Sequence, residues 1–294
     1  MTQIFKNTIV IKINLSYFAL FFLILGCKEQ DKNQSPGVEK DQKMIPVEAN
    51  NGNGAGAPSL EEAFVQNIER AHHKKEFMEH PAVAFDLDLD FNGKEGFNAR
   101  ITMMTNSSKI HMDKTDGTSL IFADDKAYLS PETAVSDNAR FDLFTWPYFF
   151  ALPFKLDDQG ANLERLGERD FDGELRETYK LTFAPGTGNS PDDWYLIYLN
   201  EDETVHAAAY IVTYGGKKQA EAEKNPHCIV YDNYQEVQTV PVATSWKFYN
   251  WSEADGLQGD PIGEAVLSNI NFKDPGPNLF TQPTSFKIIE KSGN

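Results

Sequence analysis

The sequence predicts a mainly β (α+β) domain built on one large antiparallel sheet of about eleven strands, curved into an open, unclosed barrel. Three observations predict it. Apolar residues recur with a period of two over many short runs. Turn residues separate those runs at short spacing. Few stretches carry the 3.6-residue period of a helix. The helical exceptions are an N-terminal helix and a proline-interrupted aromatic segment, both expected on the concave side of the sheet.

The chain of 294 residues opens with a targeting segment. Lys6 and Lys12 form a positive leader, and Tyr17 to Leu25 is an apolar run too short to span a bilayer as a stable helix. The run ends in Ile24-Leu25-Gly26-Cys27, which resembles the lipobox of bacterial lipoproteins. That resemblance implies cleavage before Cys27 and acyl chains on its thiol, each buried methylene contributing about 0.8 kcal/mol to membrane anchoring. Lys28, in place of the aspartate that retains such proteins at the inner membrane, points by the same resemblance to the outer membrane of a Gram-negative envelope. Residues 28–57 lack apolar periodicity and are rich in Lys, Glu, Asn, Gly and Pro, the composition of a tether. The expected organisation is a signal peptide at 1–26, the lipidated Cys27 and tether at 27–57, and a single β domain at 58–294.

The domain starts with a helix. Ser59 and Glu62 have capping-box spacing, and Leu60, Phe64, Ile68 and Ala71 recur at helical intervals until Pro81 ends the pattern at the latest. Alternation begins at Val83. Phe85, Leu87, Leu89 and Phe91 are apolar, while Asp86, Asp88 and Asp90 between them are acidic. After Asn92-Gly93 the alternation resumes at Phe97, Ala99, Ile101 and Met103, which is a hairpin signal. The same stretch, "DLDLDFNGKEGF", resembles the opening of a helix-loop-helix calcium loop. The residues before Asp88 alternate as a strand, however, and the twelfth loop position is Ala99 where a bidentate Glu is needed. The aspartates read as the wet face of a strand, and no metal site is expected.

Further strands are expected at Lys109–Met112, Ser119–Ala123, Ala127–Leu129, Leu175–Phe183, Trp194–Leu199, Val205–Tyr214, Cys228–Val237, Val242–Trp251 and Glu264–Phe272. The segment Asn138 to Leu156 departs from this pattern. It carries Phe141, Phe144, Trp146, Tyr148, Phe149, Phe150 and Phe154, and its Pro147 and Pro153 argue against a long straight helix. It reads as a broken helical cap on the core or as an aromatic lid over a cavity.

Charge narrows the partners. The chain holds 27 basic and 44 acidic residues; loss of Lys6 and Lys12 on cleavage leaves 25 basic residues and a net charge of −19. Such a surface repels nucleic acid, which is excluded as a main partner. With Cys27 lipidated, Cys228 has no intramolecular disulfide partner, and its apolar setting in "HCIVY" reads as a buried structural thiol. No Gly-x-Ser-x-Gly elbow, phosphate-binding glycine loop or His-Glu-x-x-His motif occurs. No catalytic residue and no cofactor is expected. The protein is expected to be a monomeric binding protein and not an enzyme.

The order of elements resembles the periplasmic lipoprotein-carrier superfamily of LolA, LolB and their RseB-like relatives. The resemblance rests on the helix "LEEAFVQNIERAH", the following meander, the aromatic stretch, and the phrases "ERDFDGELRETYKLTFAP", "WYLIYLNEDETVHAAAYIV" and "VYDNYQEVQTVPVATSWKFYN". It covers residues 59 to 286 and implies an unclosed antiparallel barrel lidded by helices, with an apolar pocket between them. In the leading reading an acyl chain, lipid or lipoprotein lies in that pocket. Phe85, Leu87, Leu89, Phe91, Ile101 and Met103 would line it, and Trp146, Phe149 and Phe150 would shut its mouth. A second reading makes Trp194, Trp246, Tyr249 and Trp251 a surface platform for glycan or peptide. A third, an anchored hydrolase, would need two distant carboxylates brought together.

Overall fold

A computed structural model describes residues 60–291. The leader, Cys27 and the tether lie outside the described residues.

One antiparallel sheet of thirteen strands organises the domain. It consists of two meanders joined along a single seam. The first comprises β1 (Ala82–Phe91), β2 (Lys94–Met104), β3 (Ile110–Lys114), β4 (Ser119–Ala123) and β5 (Lys126–Ser130). The second comprises β6 (Ala161–Phe171), β7 (Glu174–Phe183), β8 (Tyr195–Leu199), β9 (Val205–Tyr210), β10 (His227–Val237), β11 (Val240–Ser252) and β12 (Gly256–Lys273). Pairing of β1 with β12 makes the seam, with Leu87 opposite Leu267 and Leu89 opposite Ala265. The spatial order ends at β6 on one side and at the two-residue β13 (Lys287–Ile288), paired to β5, on the other. The two ends do not pair, so the barrel stays open.

The first hairpin shows how the sequence sets the register. Asn92 and Gly93 both have positive φ, as a tight two-residue turn between twisted strands requires. Asp90 closes the turn by accepting the Gly96 N–H at 2.8 Å. On the wet face Arg100 pairs with Asp86 at 2.9 Å, and Asn269 donates to the other Asp86 oxygen at 2.6 Å. Asp90 of the calcium-like motif thus serves the turn, and Asp86 just before the motif serves the strand. Among the described residues no cluster of three His, Cys, Asp or Glu could hold a metal ion.

Two strands escape the sequence reading. β6, "ANLERLGERDF", is an edge strand with most of its side chains exposed or half-buried, so neither face carries an apolar row. β13 is too short to show a period. β8 is buried at every position because both faces of the sheet are covered there. Phe171, Leu196, Tyr198, Ala207, Ala209, Cys228 and Trp251 form a second cluster, separate from the main core. Cys228 is fully buried in it, and burial pushes its thiol well above its ordinary pKa.

The N-terminal helix is two helices. α1 (Leu60–Ala71) ends where His73 turns left-handed, and α2 (Lys74–Glu79) follows. The aromatic segment forms α3 (Ala139–Ala151), which runs through Pro147 without breaking, and the chain tightens into a 3-10 turn only at Leu152–Phe154. Pro147 lacks the N–H that would bond the preceding turn. Its ring is buried, and the helix is held by rings on its neighbours: Trp146 meets Phe91, Phe97 and Phe248, and Phe150 meets Phe85. Among the described residues no helix is long and apolar enough to cross a membrane.

Candidate functional site

The concave side of the sheet divides into a solid floor and an open cleft. On the floor, the apolar row of β1 and β2 packs directly against α3. Phe85, Leu87, Leu89 and Ile101 are essentially inaccessible. Phe150 stacks on Phe85 with centroids 4.4 Å apart. Trp146 meets Phe91 at 5.8 Å and donates its indole N–H to Asp142 at 3.1 Å. Between Phe150, Tyr231 and Trp246 only about 10 Å³ of space remains, room for one water at most.

A cleft of about 620 Å³ lies along another flank of α3. The helix contributes Phe141, Phe144, Tyr148 and Phe149. One wing of the sheet contributes Met103, Ile110 and Phe122, and the opposite wing Phe183, Tyr195 and Tyr210. Ring contacts tie helix to wings: Phe144 meets Phe122 at 5.0 Å, Tyr148 meets Tyr195 at 5.6 Å, and Phe149 meets Tyr210 at 5.0 Å. The rim is polar and exposed at Asn106, Asp125, Gln159 and Lys291. Small-molecule sites commonly measure about 300–1,000 Å³ and combine such apolar walls with a few polar groups.

Of the nine residues expected to line or close a pocket, the structure brings two, Met103 and Phe149, to this cleft. Phe85, Leu87, Leu89, Phe91, Ile101, Trp146 and Phe150 belong to the packed floor and the helix side that seals it. Sequence reasoning passed over Ile110, Phe122, Phe183, Tyr195 and Tyr210. It noticed Phe141, Phe144 and Tyr148 only as aromatic content. Their spacing of three and four residues places them on one face of α3, and that was the available signal.

Five polar side chains stand among these rings or at their rim. Arg140, in the first turn of α3, is 6% exposed. It donates to the Ile289 carbonyl at 3.0 Å and to Asn189 Oδ1 at 2.7 Å, and its guanidinium lies 4.9 Å from the centre of the Phe144 ring. Burial lowers its pKa. The Tyr148 hydroxyl is buried without a hydrogen-bond partner among the described residues, and burial raises its pKa. Asp193 accepts the backbone N–H and the hydroxyl of Thr213, both at 2.7 Å. Burial nonetheless pushes its carboxyl up to about 6, the Thr213 bonds only partly offsetting the desolvation. Lys155 and Asp158 form an ion pair at the rim.

The expected surface platform does not form: Trp194 and Trp251 meet at 6.5 Å, but within the second cluster and apart from Trp246. Trp246 is 1% exposed in the main core, Trp251 is buried in the second cluster, and Trp194 donates its N–H to Glu223 at 3.2 Å.

No family model matches the sequence, and no curated protein matches it. Solved structures do resemble the fold. A DUF1329-family protein of Desulfovibrio piger is similar at 12% identity and a TM-score of 0.47, over 76% of this chain and 98% of that one. A LolA-superfamily protein of Nitrosomonas europaea is similar at 11% identity and a TM-score of 0.46, over 73% of this chain and 97% of that one.

Proposed function

We propose that this chain is a binding protein of the Gram-negative cell envelope, anchored in the outer membrane through lipidated Cys27, whose half-barrel holds the hydrocarbon part of an amphiphile beside α3. The cleft carries this reading. Its walls are aromatic and aliphatic on three sides, and it has room that the floor of the same half-barrel lacks. A chain entering it exchanges water for ring faces and aliphatic groups, gaining about 25 cal/mol per Å² of apolar surface removed from water. In this reading the chain binds its ligand without transforming it.

The test is native mass spectrometry of the protein extracted from its own membrane. The expected spectrum carries a non-covalent adduct of lipid mass in addition to the acylated Cys27. A spectrum of protein alone, together with no uptake of added twelve-carbon amphiphiles, would overturn the reading.

A further inference from the structure

We propose that the amphiphile carries an anionic head group, a carboxylate or a phosphate, and that Arg140 receives it. The proposal deepens the reading of the cleft as a hydrocarbon site and rests on it.

Arg140 is a buried cation whose contacts are neutral. Its two hydrogen bonds go to the Ile289 carbonyl and the Asn189 side-chain oxygen. Among the described residues no carboxylate forms an ion pair with it; Glu290, whose field reaches it, is exposed. A buried charge without a counter-ion is costly. A guanidinium offers five N–H donors in a planar fork, so two bonds leave donors for a ligand on the cleft it lines. That fork matches a carboxylate or phosphate.

The position within the helix agrees. Arg140 stands in the first turn of α3, the end at which the helix dipole disfavours a cation and favours an anion. Here the dipole and the guanidinium would act on one bound anion together. Hydrocarbon surface begins beside it: the Phe144 ring lies under the guanidinium and touches Phe122. A head on Arg140 therefore leads its chain straight onto the apolar wall. Two acids of the cleft are engaged elsewhere, Asp158 by Lys155 and Asp193 by Thr213, and the third, Asp125, is exposed at the rim.

The experiment titrates the complete mature chain from residue 27, carrying Cys27→Ala so that no acyl anchor competes, with dodecanoate, dodecyl phosphate, dodecylammonium, dodecanol and inorganic phosphate. The two anionic amphiphiles are expected to bind about tenfold or more tightly than dodecanol or dodecylammonium. Arg140→Gln is expected to erase that preference, dodecanoate and dodecyl phosphate then binding the variant no more tightly than dodecanol does. Inorganic phosphate binding as tightly as dodecyl phosphate would overturn the proposal in favour of a free-anion site. Equal binding of all four amphiphiles would overturn the head-group assignment and leave the hydrocarbon cleft standing. Preference for dodecylammonium would move the polar contact to Asp193. No binding of any amphiphile would remove the cleft reading itself. Should Arg140→Gln fail to fold, the wild-type series decides alone, and Arg140→Lys, which keeps the charge, is expected to retain the preference in part.

Discussion

Phe85 and Phe150 stack with ring centroids 4.4 Å apart and planes 14° from parallel. One stands on β1, the other on the inner face of α3, and both are buried. This contact turns the centre of the half-barrel from a hollow into a floor, and the cleft of about 620 Å³ lies where α3 faces the wings of the sheet.

Phe150→Ala is therefore expected to cost about 3–5 kcal/mol, the range for removing a buried phenylalanine ring. It should also let longer hydrocarbon chains into the site by opening the floor. Urea unfolding and a chain-length series check the two halves. An unchanged unfolding midpoint would mean that the stack does not seal the floor.

Gly263 makes a second contact possible. It lies opposite Phe91 on β1, and a Cβ there would stand 2.5 Å from Phe91 Cδ2 and 2.8 Å from the Asp90 carbonyl oxygen. The ring of Phe91 crosses that gap to reach Phe248 at 5.3 Å and Trp146 at 5.8 Å. Gly263→Ala is expected to destabilise the seam by about 1–3 kcal/mol through overpacking, because the backbone oxygen cannot move aside cheaply. Chemical denaturation measures it, and a variant as stable as the parent would count against this geometry.

His72 and Asp193 should give stability opposing dependences on pH. His72 Nε2 accepts the Val205 N–H at 2.9 Å, and burial lowers its pKa from 6.5 to about 3. The unfolded chain then binds the extra proton, so this contribution is present above pH 6.5 and is lost as pH falls towards about 3. Asp193 is raised from 3.8 to about 6, so the folded chain binds the extra proton there. Its contribution is present below pH 3.8 and is lost as pH rises through about 6. His72→Gln should flatten the loss of stability on acidification, and Asp193→Asn should steepen it. Unfolding midpoints from pH 4 to 7 (roughly the window in which both groups titrate) test this, and parallel curves for all three proteins would refute it.

Much of the fold was legible because a half-buried strand writes its burial into alternate residues. Leu87 and Leu89 against Asp86 and Asp88 is such a record, and Asn92-Gly93 marks its turn. β6 was illegible because an edge strand with Glu164, Glu168 and Asp170 exposed has no buried row to record. The continuity of α3 was hidden by Pro147, whose missing N–H weakens a helix in isolation but is outweighed here by ring packing on both sides. The cleft was hardest to read. Phe122 and Tyr195 are distant in sequence and alternate like core residues; only the placement of α3 decides which apolar side chains meet each other and which meet open space.

That distinction yields the last prediction. Ile101 and Phe144 are both apolar, yet Ile101 is 0% exposed in the floor, whereas Phe144 is half-buried on the wall of the cleft. Ile101→Asp places a carboxylate where nothing can solvate or pair it, at a cost of several kcal/mol or more, and the domain is expected to unfold. Phe144→Asp keeps its carboxylate at the edge of open space and near the Arg140 guanidinium, so the fold should survive with a loss of about 1–2 kcal/mol. Amphiphile binding should nevertheless fall by about tenfold or more, since the apolar wall beneath Arg140 is gone and the new anion occupies the cation. Circular dichroism and titration with dodecanoate separate the two variants. A folded Ile101→Asp, or a folded Phe144→Asp that binds dodecanoate as the parent does, would show that floor and cleft have been assigned the wrong way round.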